Sequence, residues 1–324
     1  MQTLLRTTGA YKLLENEGKS TGFSHAYLLL FDDARNLRVA LKTFAKLFFG
    51  CDKESTDSQR RISELIDSES FSDCLCYPSE QGKKLLVDDA EKILEESTLA
   101  PVEGNKKVFL IGDFSEANVQ TQNKLLKLLE EPPKGVIFLL GATNAFSVLP
   151  TVLSRTKKLE ILSFDLPSTL AYLQRAYGDK YDRATLELCA ATADGNVGGA
   201  CNILEGEYYK TLTESAFALT LSPLYKLPAA VKQIGETPHK KELLNLLRLI
   251  FRDALLIKTN QSAYLTLRSE KTRIEEVAEL YTIHALLYAQ EAISDAEKQA
   301  NFNAVFSQCI EICIANIHQK NKKL

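Results

Sequence analysis

The sequence predicts an α/β domain with a parallel sheet, followed by a small helical domain and an all-α C-terminal domain. Apolar runs typical of strands buried on both faces alternate with amphipathic helical segments through the first half of the chain. Pro167 marks a change to purely helical patterns, and from about residue 210 onward every segment has helical spacing. The predicted domains are 1–164, 165–208 and 209–324.

The predicted α/β domain begins with a helical segment at 4–15 and a buried strand at 25–31. The next segment, 35–49, has apolar residues spaced for one face of a helix that packs on a sheet. Val136–Leu140 is apolar throughout, as expected of a strand covered on both faces. The other predicted elements of this domain are a helix within 52–69, a strand at 74–78, a helix at 87–98, a strand at 107–111, helices at 118–131 and 148–153, and a strand at 158–162.

The rest of the chain is predicted to be helical. A loop within 193–200 leads into the last helix of the second domain. The third domain is a series of amphipathic helices, a pattern that suits a bundle. These helices are predicted at 224–235, 240–258, 272–294 and 300–318.

Composition argues against several classes of function. The 324 residues are 45% apolar and 25% charged with a net charge of −3, so no overall basic field points to nucleic acid or to an anionic membrane. No apolar run reaches the length of about 18 residues that spans a membrane, and the N-terminus has no signal-peptide pattern. We therefore expect a cytoplasmic protein with no membrane partner.

The seven cysteines are too scattered for a disulfide framework or a metal site. Cys74 and Cys76 are separated by one residue, with neither a second pair nor a nearby histidine to complete a tetrahedral site. No cluster of carboxylates has the spacing of a metal-dependent polymerase or nuclease. We predict reduced thiols and no metal.

The most informative stretch is Asn123–Pro133, which reads Asn-Lys-Leu-Leu-Lys-Leu-Leu-Glu-Glu-Pro-Pro. Its leucines form an apolar stripe at helical spacing, and Pro132 and Pro133 end the helix because proline has no amide hydrogen. A buried strand follows, and then Ser154-Arg155-Thr156. An arginine in an exposed loop can form a surface ion pair or can reach a phosphate group on a neighbouring subunit.

The turn after the strand at 25–31 is where a phosphate-binding loop would lie. Such a loop needs glycine, a lysine and a hydroxyl residue. This chain has Asp32-Asp33-Ala34-Arg35-Asn36-Leu37-Arg38 there, without glycine and with two aspartates that would repel a polyphosphate. Further on, we expect Asp113 and Glu116 to cap the helix beginning near Asn118 rather than to hold a metal. No cofactor is expected.

Together these motifs resemble those of the delta-prime subunits of bacterial DNA polymerase III clamp loaders, which belong to the AAA+ family. The match is most specific from His25 to Thr156, with the Glu-Glu-Pro-Pro and Ser154-Arg155 motifs as anchors. It continues more weakly at Phe251-Arg252-Asp253 and Asn301-Phe302-Asn303. Thr156 replaces the usual cysteine of that family, and the four-cysteine zinc module of related subunits is absent from the sequence.

The resemblance implies an AAA+-type domain, a helical lid domain and a helical collar domain. It places Leu37 where the phosphate-binding lysine would be and Arg38 where the magnesium-binding hydroxyl would be. Phe114 occupies the place of the catalytic acid, and Gly198 that of an arginine that senses nucleotide. The resemblance therefore implies a subunit that neither binds nor hydrolyses ATP.

The resemblance also implies that Arg155, supported by Ser154, completes the ATP site of an adjacent subunit as an arginine finger. The implied partners are ATP-binding clamp-loader subunits and a delta subunit and, through the assembled complex, a sliding clamp and primed DNA. Lys124, Lys127 and Lys134 lie near the helix that faces the central chamber in that family. They can contact DNA there or belong to a solvated helix face.

Other assignments stay open. An active ATPase subunit conflicts with the sequence at 31–38. A delta-like subunit also lacks an ATP site, but such subunits generally lack the Ser-Arg finger, so Arg155 discriminates against this assignment. A non-catalytic scaffold that uses the same fold outside replication is compatible with the sequence.

Overall fold

The chain forms two compact units, residues 1–163 and 164–324. The computed structural model describes residues 1–206, 208–234, 237–301 and 304–321. The first unit holds a sheet with helices around it, whereas the second is helical in the part that is described. The division of the second unit into a lid and a collar, at residue 208, stays a prediction.

Within the described residues, five strands form one sheet in the order β2-β3-β4-β1-β5. All four pairings are parallel, which confirms the predicted α/β architecture. The strands are Ala26–Phe31 (β1), Cys74–Tyr77 (β2), Lys107–Ile111 (β3), Val136–Ala142 (β4) and Lys157–Ile161 (β5).

The three central strands are buried along their whole length, as their apolar sequences predict. In the register, Leu28 of β1 lies beside Leu140 of β4, and Phe109 of β3 lies beside Phe138 of β4. The two phenylalanine rings stack with their centroids 5.3 Å apart. Because the strands are parallel, the segments that follow β1, β3 and β4 meet at one edge of the sheet, and this edge carries the candidate site.

The helices of the first unit connect these strands, as expected for parallel pairing. Their bounds agree with the predicted ones to within a few residues, except at the N-terminus. There, one predicted helix is two, because Thr8 ends the first and caps the second by accepting a hydrogen bond from the Tyr11 amide at 3.3 Å. The helices are Gln2–Thr7 (α1), Gly9–Ser20 (α2), Leu37–Phe48 (α3), Asp57–Asp67 (α4), Val87–Ser97 (α5), Val119–Glu130 (α6) and Pro150–Leu153 (α7).

The second unit packs its helices around an apolar core to which α13 contributes most of one face. Leu243, Leu246, Leu247 and Ile250, predicted as an apolar stripe, are all fully buried there. The helices are Leu166–Tyr177 (α8), Arg183–Thr192 (α9), Val197–Glu205 (α10), Tyr208–Leu221 (α11), Leu227–Ile234 (α12), Lys240–Lys258 (α13), Lys271–Leu280 (α14), Ile283–Asn301 (α15) and Phe306–Lys320 (α16).

Two predictions in this unit were wrong. The helix predicted at 272–294 is interrupted, because Tyr281 is extended and Thr282 starts a new helix by accepting a hydrogen bond from the Ala285 amide at 3.3 Å. The helix predicted to begin at Ala300 begins at Phe306 instead. Gly235, Phe302 and Asn303, which belong to a predicted helix and a predicted motif, lie outside the described residues.

Candidate functional site

The loop after β1 is closed by its own side chains. Asp33 is 1% exposed, and its carboxylate accepts hydrogen bonds from the Asn36 amide at 3.0 Å and from the Asn36 side chain at 2.7 Å. These bonds lie at the start of α3. A helix N-terminus attracts anions because its first amides lack partners within the helix. Here a carboxylate of the chain itself binds Asn36, the N-cap residue that precedes the first turn of α3.

Leu37 and Arg38 do not face this loop as phosphate-binding residues would. Leu37 is buried and packs over Gly141 of β4, where an added Cβ would come within 3.1 Å of its Cδ1. Arg38 points to Glu69 and donates to its carboxylate through Nε at 2.7 Å. It also donates to the carbonyl oxygens of Pro78 at 2.8 Å and Ser79 at 3.2 Å. Both side chains are therefore used within the fold.

Glu69 pairs with the positively charged side chains beside this loop. Besides Arg38, it accepts a hydrogen bond from Lys42 Nζ at 3.1 Å, and Lys42 also donates to the Asp67 carbonyl at 2.8 Å. The hydrogen bonds from Arg38 lower the pKa of the Glu69 carboxyl despite partial burial, and Lys42 adds to the effect. The hydrogen bonds to Glu69 in turn raise the pKa of the Arg38 guanidinium. The role of Glu69 could not be predicted from the sequence, because nothing local links it to Arg38.

Asp113, after β3, is held by neutral hydroxyl and amide groups. Its carboxylate accepts from the Ser115 amide at 3.2 Å and from Thr143 Oγ1 at 3.2 Å, and the Ser115 hydroxyl is also bonded to it. Asp113 caps the short 3-10 turn Phe114–Glu116. The predicted capping of the next helix was wrong, because Asn118 does this by accepting a hydrogen bond from the Thr121 amide at 2.8 Å.

The residues that follow Asp113 are engaged elsewhere in the fold. Phe114 is fully buried in the core, so the residue at the place of the catalytic acid does not reach the edge of the sheet. Glu116 instead forms an ion pair with Lys84 at 3.4 Å. A cavity of about 240 Å³ remains between Arg38, Pro78 and Asp113. This is smaller than the roughly 300–1,000 Å³ of typical ligand pockets.

In the second unit, the segment at 195–200 forms the start of α10. Asn196 caps the helix by accepting a hydrogen bond from the Gly199 amide at 2.7 Å. Gly198 is buried within the first turn of the helix. It has no side chain that could take the place of a nucleotide-sensing arginine.

Arg155 lies in the turn between α7 and β5, close to the C-terminal end of α6. Its side chain is 31% exposed and forms an ion pair with Glu130, the last residue of α6. The Nε–Oε1 distance is 2.7 Å, and Nη2 also donates to this carboxylate. Nη1 donates to the Thr151 carbonyl at 2.8 Å and to Ser154 Oγ at 3.2 Å.

The structure brings Arg155 into contact with Ser154 and with Glu130, while the roles predicted for Arg155 and Ser154 stay predictions. The only sequence signal for Glu130 was its place in the Glu-Glu-Pro-Pro motif. Thr156, at the position of the usual cysteine, donates a hydrogen bond to the Val152 carbonyl at 3.0 Å and so continues the turn after α7.

The three lysines considered for DNA contact differ in their surroundings. Lys124 forms an ion pair with Glu91 of α5 and is only partly exposed. Lys127 and Lys134 are exposed. Whether any of them contacts DNA stays a prediction.

The described residues form neither a metal-binding cluster nor a helix that could span a membrane. In the described part of the chain, no group of three or more His, Cys, Asp or Glu side chains could hold a metal ion. All seven cysteines are free thiols, and all but Cys76 are buried. No helix among the described residues is long and apolar enough to cross a membrane.

A family model described as DNA polymerase III, delta subunit, matches residues 7–165. The chain is 27% identical over 296 residues to DNA polymerase III subunit tau of Bacillus subtilis (strain 168), covering 82% of this chain and 51% of that protein. It is 28% identical over 198 residues to DNA polymerase III subunit gamma of Buchnera aphidicola subsp. Schizaphis graminum (strain Sg), covering 57% and 53%. The chain spans about half the length of these two curated relatives.

A crystal structure of a DNA polymerase III gamma subunit-related protein from Thermotoga maritima is also similar. It aligns with 97% of this chain and 100% of its own, at 14% sequence identity and a TM-score of 0.43.

Proposed function

We propose that this chain, whose residues 7–165 match the family model described as DNA polymerase III, delta subunit, is a delta-prime subunit of a clamp loader that binds no nucleotide itself and supplies Arg155 to the ATP site of a neighbouring subunit. It assembles with ATP-binding clamp-loader subunits and a delta subunit. The complex loads a sliding clamp onto primed DNA. The chain itself is then a non-catalytic subunit of a DNA-directed DNA polymerase holoenzyme.

The observation that carries this proposal is the position of Arg155. It lies in a turn at the surface, beside the Glu-Glu-Pro-Pro motif and two residues after the exposed Leu153. A guanidinium in such a turn can reach the phosphates of a nucleotide bound to an adjacent subunit. Arginines supplied in this way raise rates of phosphoryl transfer by about 10³–10⁵.

The loop after β1 supports the nucleotide-silent part of the proposal. Asp33 is hydrogen-bonded to Asn36, the N-cap residue of α3, Leu37 is part of the core, and Arg38 is paired with Glu69. To bind a polyphosphate, this loop would have to break the Asp33–Asn36 hydrogen bonds and accept anionic phosphates beside a buried carboxylate. Neither change is favourable.

The test is the ATPase rate of the reconstituted loader with Arg155→Ala, in the presence of clamp and primed DNA. We expect a fall of at least about tenfold, which corresponds to about 1.4 kcal/mol of transition-state stabilisation. Arg61→Ala is the matched control, because Arg61 also pairs with a glutamate, Glu103, at 2.8 Å on the surface of the same unit. Gel filtration checks that both variants assemble. An unchanged ATPase rate for the assembled Arg155→Ala loader contradicts the proposal that Arg155 is an arginine finger.

A second candidate is a delta-like scaffold that acts through protein–protein contacts alone. It is favoured by the description of the matching family as a delta subunit and by the engagement of Arg155 with Glu130 of the same chain. This candidate predicts normal ATPase activity for Arg155→Ala, so the same experiment separates the two.

A further inference from the structure

Arg155 is already engaged on the surface of its own chain. Nε and Nη2 donate to one carboxylate oxygen of Glu130, and Nη1 donates to the Thr151 carbonyl and to Ser154 Oγ. Most of the N–H donors of the guanidinium therefore have partners. A phosphate on another subunit would have to compete with these groups for the same donors.

Glu130 is placed where the local helix does not favour it. It is the last residue of α6, and Glu131 follows as the C-cap. The C-terminal end of a helix carries partial negative charge, so a carboxylate there is disfavoured by the helix dipole. Arg155 compensates this cost. Pro132 and Pro133 then stop the helix, so that Glu130 stays at the surface beside the turn that carries Arg155.

We propose that Glu130 is the positioning residue of Arg155, holding the guanidinium against its own chain until a nucleotide phosphate on an adjacent subunit displaces it. This inference rests on the proposed function. A polyphosphate carries more negative charge than one carboxylate and accepts two parallel hydrogen bonds from a guanidinium. It therefore takes the arginine once the neighbour is docked and loaded with nucleotide.

The strength of the Glu130–Arg155 pair suits such a release. The two side chains are 48% and 31% exposed, so water and salt weaken their attraction. Pairs of this kind favour the held state over the released one by a factor of no more than about five. The pair thus reduces engagement when the loader is idle, but it does not prevent engagement when the neighbouring subunit is in place.

The test compares the ATPase rates of the loader reconstituted with the wild-type chain and with Glu130→Gln. Glutamine keeps the size of the side chain and removes its charge. We expect the basal rate, without clamp and primed DNA, to rise about two- to fivefold, and the stimulated rate to stay unchanged. Glu103→Gln is the matched control, since it breaks the exposed pair with Arg61 and should leave both rates unchanged.

A spectroscopic measurement on the isolated chain checks the held state directly. In the wild type, the Nε–H proton of Arg155 should exchange with water up to about fivefold more slowly than that of a released arginine, because Glu130 accepts its hydrogen bond. The exchange rate, measured by NMR, should rise in Glu130→Gln, which has no charge to hold the guanidinium, and should stay unchanged in Glu103→Gln. A Nε–H exchange rate unaffected by Glu130→Gln overturns the proposal.

The double variant Glu130→Gln/Arg155→Ala separates this inference from the proposed function. If Glu130 acts through Arg155, the double variant has the rate of Arg155→Ala alone. If the basal rate falls or stays constant in Glu130→Gln while Arg155→Ala remains defective, Glu130 does not hold Arg155. The proposal that Arg155 acts on the neighbouring ATP site is then unaffected. A normal rate in Arg155→Ala contradicts the proposal that Arg155 is an arginine finger and, with it, the proposed role of Glu130.

Discussion

Among single residues, Glu69 is the one that pairs with the positive charges beside the loop after β1. It pairs with Arg38 and Lys42, whose side chains are 12% and 16% exposed. Glu69→Gln leaves both cations with weaker partners in a partly buried setting, so we expect a loss of about 1–3 kcal/mol in the free energy of unfolding at pH 7. Urea denaturation measures it. Glu64→Gln, an exposed glutamate on α4, is the control and should change little.

The effect of Glu69→Gln should depend on pH in a defined direction. Hydrogen bonds from Arg38 lower the pKa of the Glu69 carboxyl below its ordinary value of 4.5 in the folded chain. Its stabilising contribution is therefore complete above that value and is lost as the pH falls through the lowered folded-state pKa. The difference in stability between wild type and variant should be constant from pH 6 to 8, by this reasoning, and should shrink below about pH 4.5. A difference that persists unchanged at low pH would contradict the charge-based explanation.

Among the structural elements, the segment at 262–270 depends on one buried side chain. It holds only two short 3-10 turns. Asp253 of α13 is fully buried and accepts hydrogen bonds from the Thr266 and Leu267 amides, each at 2.8 Å, while Arg252 donates to its other oxygen at 3.0 Å. This arrangement gives the Phe251-Arg252-Asp253 motif a structural role.

Asp253→Asn should therefore loosen this segment. The amide nitrogen of asparagine cannot accept a hydrogen bond, so it faces either the two backbone donors or the guanidinium without a partner. We expect a loss of about 1–3 kcal/mol in the free energy of unfolding and faster hydrogen exchange at the Thr266 and Leu267 amides. Asp295→Asn, at a 57% exposed position on α15, serves as the control. Normal protection of these two amides in Asp253→Asn would contradict the assignment.

Elements with a strong pattern could be predicted from the sequence. The bounds of β3 and α13 agree with those predicted, because apolar runs and helical stripes fix them locally. Apolar periodicity does not reveal the break at Tyr281, whereas the Thr282 hydroxyl is a local capping signal for it. The hydrogen bond from the Tyr281 hydroxyl to the Thr220 carbonyl, at 2.9 Å, and the Glu130–Arg155 pair, whose members are 25 residues apart, could not be predicted, because both join distant parts of the sequence.

For the whole molecule, we expect that ATP does not change the thermal stability, because the loop after β1 is closed by its own side chains. A ligand that binds only the folded chain at 100 times its Kd stabilises it by about 2.7 kcal/mol, which raises the melting temperature by several degrees. We expect no such shift on adding millimolar ATP and magnesium to this chain. An ATP-binding subunit of the same loader is the positive control in the same thermal scan. A shift of several degrees for this chain would contradict the nucleotide-silent assignment.

The Asp33–Asn36 contact also bears on how this chain can evolve. A lysine at position 37 would put an ammonium group into the packing over Gly141, and loss of Asp33 alone would leave the buried Asn36 side chain without its acceptor. Each single step toward a phosphate-binding loop thus costs stability before it gains any affinity. A phosphate-binding loop at this position would therefore need several simultaneous substitutions.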